Sequence, residues 1–191
     1  MDLLDLIKKR RSIRKYQDKQ IPREDLEKII EAGLYAPNAG GRQRTIIVGV
    51  HKKELTEAIG RVNITYEDRR HMGIQVSKEQ PSILDDPTIE NAFYGAPTVC
   101  VVFSEKDYLN SIPDAFCCAM NMILEATALG ISSCIITRAE KTFESELGKR
   151  LLKEWQIPEN YIARCFVILG YCEGEYPEPK PRREGRSLII E

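Results

Sequence analysis

Apolar positions along this chain recur with two periods, one helical and one extended. Leu3, Leu4, Leu6 and Ile7 fall at helical spacing behind Asp2, a residue type that caps helix starts. A second helix is expected from Pro22, whose fixed φ suits a first turn. Its buried stripe is Leu26, Ile29, Ile30 and Leu34, and Pro37 ends it. The β-branched run TIIVGV (45–50) predicts a strand and KKELTEAIG (52–60) a short helix. TVCVVFS (98–104) predicts a second strand. DAFCCAMNMILEATALG (114–130) is apolar nearly all round and ends in Gly130, so it predicts a helix buried centrally or at a subunit interface. Strand SSCIIT (132–137), a single helix ESELGKRLLKEW (144–155) and strand YIARCFVILG (161–170) complete the pattern.

Two stretches depart from it. Residues 61–95 are polar and rich in turn formers, with Pro81 and Pro87. A segment that long without clear periodicity is expected to be a lid, a binding element or a subunit-wrapping segment, helical in places. The tail YCEGEYPEPKPRREGRSLIIE (171–191) is charged and Pro-rich, yet it closes on Leu188, Ile189 and Ile190. That triplet suits an extended segment docked on another surface, such as a sheet edge of a partner subunit. No repeat and no internal boundary is evident, so strands alternating with helices imply one α+β or α/β domain.

Composition narrows the function. The chain has 191 residues, 42% apolar and 30% charged, with a formal charge of −1, which suits one soluble domain and argues against broad nucleic-acid binding. No apolar run approaches the roughly 18 residues of a membrane span. MDLLDLIKKRR lacks the order of a secretion signal, and a cytoplasmic location is expected. Cys100, Cys117, Cys118, Cys134 and Cys165 lie in or beside apolar runs and read as small hydrophobes, whereas Cys172 lies in a polar stretch and is the candidate for an exposed, reactive thiol. With no C-x-x-C pair, and His51 and His71 far apart, no metal site is expected.

The candidate chemistry sits at the two ends. RRSIRKY (10–16) crowds four basic side chains around a serine. In an extended segment Arg10, Ser12 and Arg14 project to one side, where they could converge on an anion, and Arg11 faces the other way. Alone, this is equally a solvated basic face after a helix C-terminus. PKPRREGR (179–186) adds Lys180, Arg182, Arg183 and Arg186 on a backbone stiffened by prolines, and two such clusters could complete one phosphate cage. Neither a Walker loop nor G-x-G-x-x-G is present. AGG (39–41) lets backbone approach a flat ligand.

The ordered set of RRSIRKY, APNAGGRQ, FYGAPTVCVVF, ALGISSCII and ILGY…PKPRR resembles the nitroreductase family of FMN-dependent NAD(P)H oxidoreductases, over essentially the full length. The resemblance implies an α+β three-layer sandwich, with a central, mostly antiparallel sheet flanked by helices, as a single domain (1–191). It also implies an interlocked homodimer with FMN at the interface and an extension, about 171–191, reaching the partner. Arg10, Ser12 and Arg14 then match phosphate and ribityl contacts, with Arg11 contributing mainly backbone, and Lys180 and Arg182 match the C-terminal basic pair. Pro37, Asn38, Ala39 and Gly41 match the loop that reaches the other protomer's flavin. There Asn38 replaces the family's serine and Gly41 its asparagine. Asn63 matches a residue bonded to the pyrimidine edge, and Ile135, Ile136 and Thr137 match backbone groups facing N5 and O4.

The function so implied is passage of electrons from NADH or NADPH through flavin N5 to nitroaromatics, quinones or similar small acceptors, by a ping-pong mechanism. No catalytic side chain is nominated; Arg42 and Arg138 are candidates to steer substrate. Two alternatives keep the basic clusters. One is a flavin-binding store or sensor without nicotinamide turnover. The other is a non-flavin anion module, which the lack of interleaved aromatics disfavours for RNA.

Overall fold

A strand that carries an unbroken apolar run needs cover on both faces, and two strands of this chain carry one, Val99–Phe103 and Cys165–Leu169. In the computed structural model, which describes residues 2–66 and 78–191, they form the middle of a four-stranded sheet. β1 (Thr45–Val50), β2 (Thr98–Glu105), β3 (Ser132–Ile136) and β4 (Tyr161–Gly170) lie in the order β1-β2-β4-β3, antiparallel throughout. Val99, Val101 and Phe103 of β2 join Phe166 and Ile168 of β4 in one apolar layer. Cys100 and Val102 join Cys165, Val167 and Leu169 in the other.

Helices cover each face. On one side lie α2 (Arg23–Leu34) and α4 (Ser111–Ala128), whose Leu26, Ile29, Ala119 and Met122 belong to the second layer. On the other lie α3 (Lys53–Ile64), α5 (Ala139–Glu144) and α6 (Glu146–Glu154), with Ile59, Phe143 and Leu151 in the first. The result is the three-layer α+β sandwich that the family resemblance implies. α1 (Leu3–Lys9) is capped as expected, Asp2 Oδ1 accepting the Leu4 and Asp5 N–H groups. It leaves most of its apolar surface uncovered within the chain: Leu6 is half-buried, but Leu3, Leu4 and Ile7 are exposed.

Four sequence expectations change. α3 continues to Ile64 because its last turn buries Asn63 and Ile64. Leu34 is not part of the α2 stripe, since it is 53% exposed and Gly33 takes the inward position against Ile47 and Met122. Cys172 is half-buried rather than exposed, and burial pushes its thiol pKa up, away from reactivity. The single helix 144–155 is broken at Ser145, whose extended backbone (ψ 163°) interrupts the ladder. The Ser145 hydroxyl donates to the Thr142 carbonyl (2.6 Å) and accepts the Gly148 N–H (3.0 Å), ending α5 and capping α6.

That corner is why residue 148 has no side chain. A Cβ there would lie 2.3 Å from the Phe143 Cα, a backbone atom that cannot rotate away. Gly148→Ala gains about 1 kcal/mol of helix propensity, but overpacking costs about 1–3 kcal/mol or more. We expect the strain to win and the melting midpoint to fall by several degrees, as calorimetry would register. An unchanged midpoint would mean the corner opens freely.

No described helix is long and apolar enough to cross a membrane. Part of the irregular stretch 61–95, including His71, lies outside the described residues.

Candidate functional site

After α1 the chain is extended, and it runs along the outer edge of β3. Ser12 bridges Ser133 in parallel register and the Ile13 N–H donates to the Ser133 carbonyl (3.0 Å). Ile13 and Tyr16 are buried and anchor the segment in the core. That anchoring leaves Arg10, Ser12 and Arg14 together: an Arg10 Nη1 donates to the Ser12 hydroxyl (3.4 Å), and the Arg14 N–H is held by the Gln80 side-chain carbonyl.

The end of β4 brings the distant tail back to this segment. The Gln17 N–H donates to the Tyr171 carbonyl (2.9 Å), Tyr16 bridges Cys172, and the Glu173 N–H donates to the Lys15 carbonyl (3.0 Å). Gly174, at φ +78°, then turns the chain, and residues 175–182 continue past Arg11. The two basic clusters thereby line one cavity of about 710 Å³. Its walls carry Arg10, Arg11, Arg14, Lys15, Lys180 and Arg182, with Ser12 and Tyr176, against Glu79, Glu173, Glu175 and Glu178. Arg183 and Arg186 are not among the lining residues. A second cavity, of about 460 Å³, shares Arg14, Lys15 and Glu173 with the first and is also walled by Asn91 and Tyr94.

Arg11 sits differently from the sequence expectation. Its backbone N–H is taken by the Tyr176 hydroxyl (3.0 Å), and the residue lines the same cavity as its neighbours. One Nη donates to the Arg10 carbonyl, while Nε and Nη2 are closed off from solvent without a hydrogen-bond partner. Burial is the main cause lowering its pKa; Tyr176 opposes that shift and the nearby Arg10 and Arg182 add to it. The Arg11 guanidinium therefore adds positive charge beside Arg10 and Arg182 without offering a free donor to the cavity.

Farther along β3 the surroundings change from cationic to structural. The Ser12 side chain reaches the buried Cys134 thiol, which burial holds above its ordinary pKa. Ile135 is partly buried, Ile136 buried and Thr137 exposed at the strand end. Asn63 is fully buried, and its amide is engaged within the chain: Nδ2 donates to the Thr137 carbonyl (2.9 Å) and the Thr142 hydroxyl (2.9 Å). Its Oδ1 accepts from an Arg138 Nη (3.0 Å). Asn63 therefore braces the strand end and steers Arg138, which adopts a left-handed backbone at φ +65°.

The loop Pro37–Gly41 lies elsewhere. Asp114, in the first turn of α4, accepts the Ala39 N–H (3.3 Å), and Asn38 Oδ1 accepts the Gln43 N–H (2.8 Å). Ala39–Gly41 form a 3₁₀ turn with Gly40 and Gly41 at positive φ, which a larger side chain would strain. None of the five residues 37–41 lines the basic cavity, and neither does Arg42.

Sequence reasoning missed Gln80 and Tyr176. Gln80 gave no signal, lying in the irregular stretch. Tyr176, one aromatic beside a proline-stiffened basic run, was a signal passed over.

Comparison with known proteins converges on one group. The family model described as "Nitroreductase family" matches residues 7–171. A protein of Archaeoglobus fulgidus, named as a candidate NADH dehydrogenase/NAD(P)H nitroreductase, is 30% identical over 179 residues, 91% of this chain and 87% of its own. One of the same name from Methanothermobacter thermautotrophicus is 29% identical, covering 90% and 78%. Among solved structures, a nitroreductase with bound FMN from Bacteroides fragilis superposes with a TM-score of 0.82 at 30% identity, covering all of both chains.

Proposed function

The chain belongs to the nitroreductase family, and from that premise we propose that it is an FMN-dependent oxidoreductase, taking electrons from NADH or NADPH and delivering them to small nitroaromatics or quinones. The observation that carries this reading is the meeting of both basic clusters in one cavity. A phosphate monoester asks for guanidinium or ammonium groups together with directional donors. Arg10, Arg14, Lys180 and Arg182 supply the charge, and Ser12 a hydroxyl.

When bound, the flavin supplies the redox chemistry, accepting hydride from nicotinamide at N5 and passing electrons to the acceptor. The chain's own residues bind and orient. Asn63 fixes the end of β3 and holds Arg138 beside it, so Ile135, Ile136 and Thr137 offer a rigid backbone edge. No side chain is assigned as nucleophile or general acid. Donor and acceptor occupy the same place in turn, which makes the kinetics ping-pong. The loop Pro37–Gly41, lying at the start of α4 and away from its own chain's cavity, completes the site of a second copy in a homodimer.

Purified protein should be yellow, with one FMN per chain. Stopped-flow mixing with NADH and with NADPH, followed by an acceptor panel, tests each half-reaction, and parallel double-reciprocal lines are expected. A preparation that stays colourless after incubation with FMN removes the flavin reading. Bound FMN that neither nicotinamide bleaches makes the protein a flavin store.

A further inference from the structure

The tail that carries Lys180 and Arg182 belongs to no helix or strand, yet its basic residues line the same cavity as the N-terminal cluster. Its antiparallel pairing with residues 15–17 runs only to Glu173, and Gly174 then turns it. Beyond that turn, Tyr176 reaches back: its hydroxyl accepts the Arg11 N–H at 3.0 Å, a contact between residues 165 positions apart. Tyr176 lines the basic cavity on one side. On the other it lines a cavity of about 360 Å³, together with Lys9, Gln17 and Cys172. The hydrogen bond therefore lies between the turn and the basic pair, four residues before Lys180. The prolines at 177, 179 and 181 limit how far the chain between can swing.

We propose that Tyr176 is a positioning residue, a latch whose hydrogen bond to Arg11 fixes the C-terminal tail over the cavity and aims Lys180 and Arg182 at a phosphate held by the N-terminal cluster. The ligand rests on the flavin reading above; the latch rests on the geometry of the tail. Tyr176 touches neither flavin ring nor substrate in this account. Its effect is confined to ligands that carry the phosphate, because only those engage the residues it aims.

Full-length wild-type protein and Tyr176→Phe, which removes one hydroxyl, separate these roles. Release of FMN and of riboflavin is followed by the fluorescence of the freed flavin, and tryptic cleavage after Arg182, Arg183 and Arg186 is timed by intact mass. FMN should leave the variant about three- to tenfold faster, as loss of one neutral hydrogen bond predicts. Riboflavin release should be unchanged, and the tail should be cut faster with or without flavin. FMN release as slow as in wild type overturns the latch, and so does equal acceleration of riboflavin, which signals general loosening. If wild-type protein holds no flavin, the flavin reading fails and digestion alone decides: faster cutting of the variant's tail upholds the latch, and an equal rate overturns it.

Discussion

Arg182→Ala should weaken FMN binding by about ten- to a hundredfold and riboflavin binding far less, because a charge-assisted hydrogen bond contributes about 1.5–3 kcal/mol. Arg182 is the cleaner of the two basic probes. It is exposed and carries no ion pair among the described residues, so its removal leaves the folded chain intact. Arg14→Ala should give a loss of similar size with a small structural addition. Its backbone N–H keeps Gln80, but its guanidinium also makes a long hydrogen bond to the Gln80 carbonyl (3.4 Å) that the substitution deletes. Titrating flavin fluorescence with both ligands distinguishes the cases. Equal losses for FMN and riboflavin would assign the arginines to the fold and not to the phosphate.

The same residues show what the sequence could and could not convey. Strands β2 and β4 were legible because both faces are buried, which leaves an uninterrupted apolar run. The helix break at Ser145 was not. Glu-Ser-Glu-Leu-Gly continues a helical pattern, and the corner depends on the two hydrogen bonds of the Ser145 hydroxyl and on Gly148 leaving room for the Phe143 backbone. The approach of the two basic clusters follows from β4 delivering residue 171 beside residue 17, a topological fact with no local signature. Asn63 illustrates the limit most plainly. The family resemblance matches it to a contact with the flavin edge, but no local pattern announces its three partners within the chain, which lie 74 to 79 positions away. The alternation of Arg10, Ser12 and Arg14 was readable, but the inward turn of the Arg11 side chain was not. Tyr176 occupies its backbone, and that contact spans nearly the whole chain.

Deleting residues 187–191 should weaken the proposed homodimer by more than any single substitution. Leu188, Ile189 and Ile190 are 84%, 85% and 86% exposed within one chain, an arrangement that charged, Pro-rich surroundings do not explain. More uncovered apolar surface lies on α1, at Leu3, Leu4 and Ile7, and on α4 beside it, at Ile112 and Met120. Full burial of each tail side chain contributes about 1.5–3 kcal/mol. Ordering each of the five residues costs about 1–2 kcal/mol, so burial alone is nearly cancelled. The margin comes from main-chain hydrogen bonds when an extended segment docks, about 0.5–1.5 kcal/mol each. A net gain of about 1–2 kcal/mol per tail, doubled by two-fold symmetry, corresponds to a dimer dissociation constant roughly 30- to 1,000-fold higher after truncation. Sedimentation across a dilution series reads that shift directly, with flavin content recorded in the same samples. The deletion spares Lys180 and Arg182, so flavin should be lost only as far as the dimer is. A truncated dimer as tight as the full-length one would mean that the apolar triplet covers something other than a second copy.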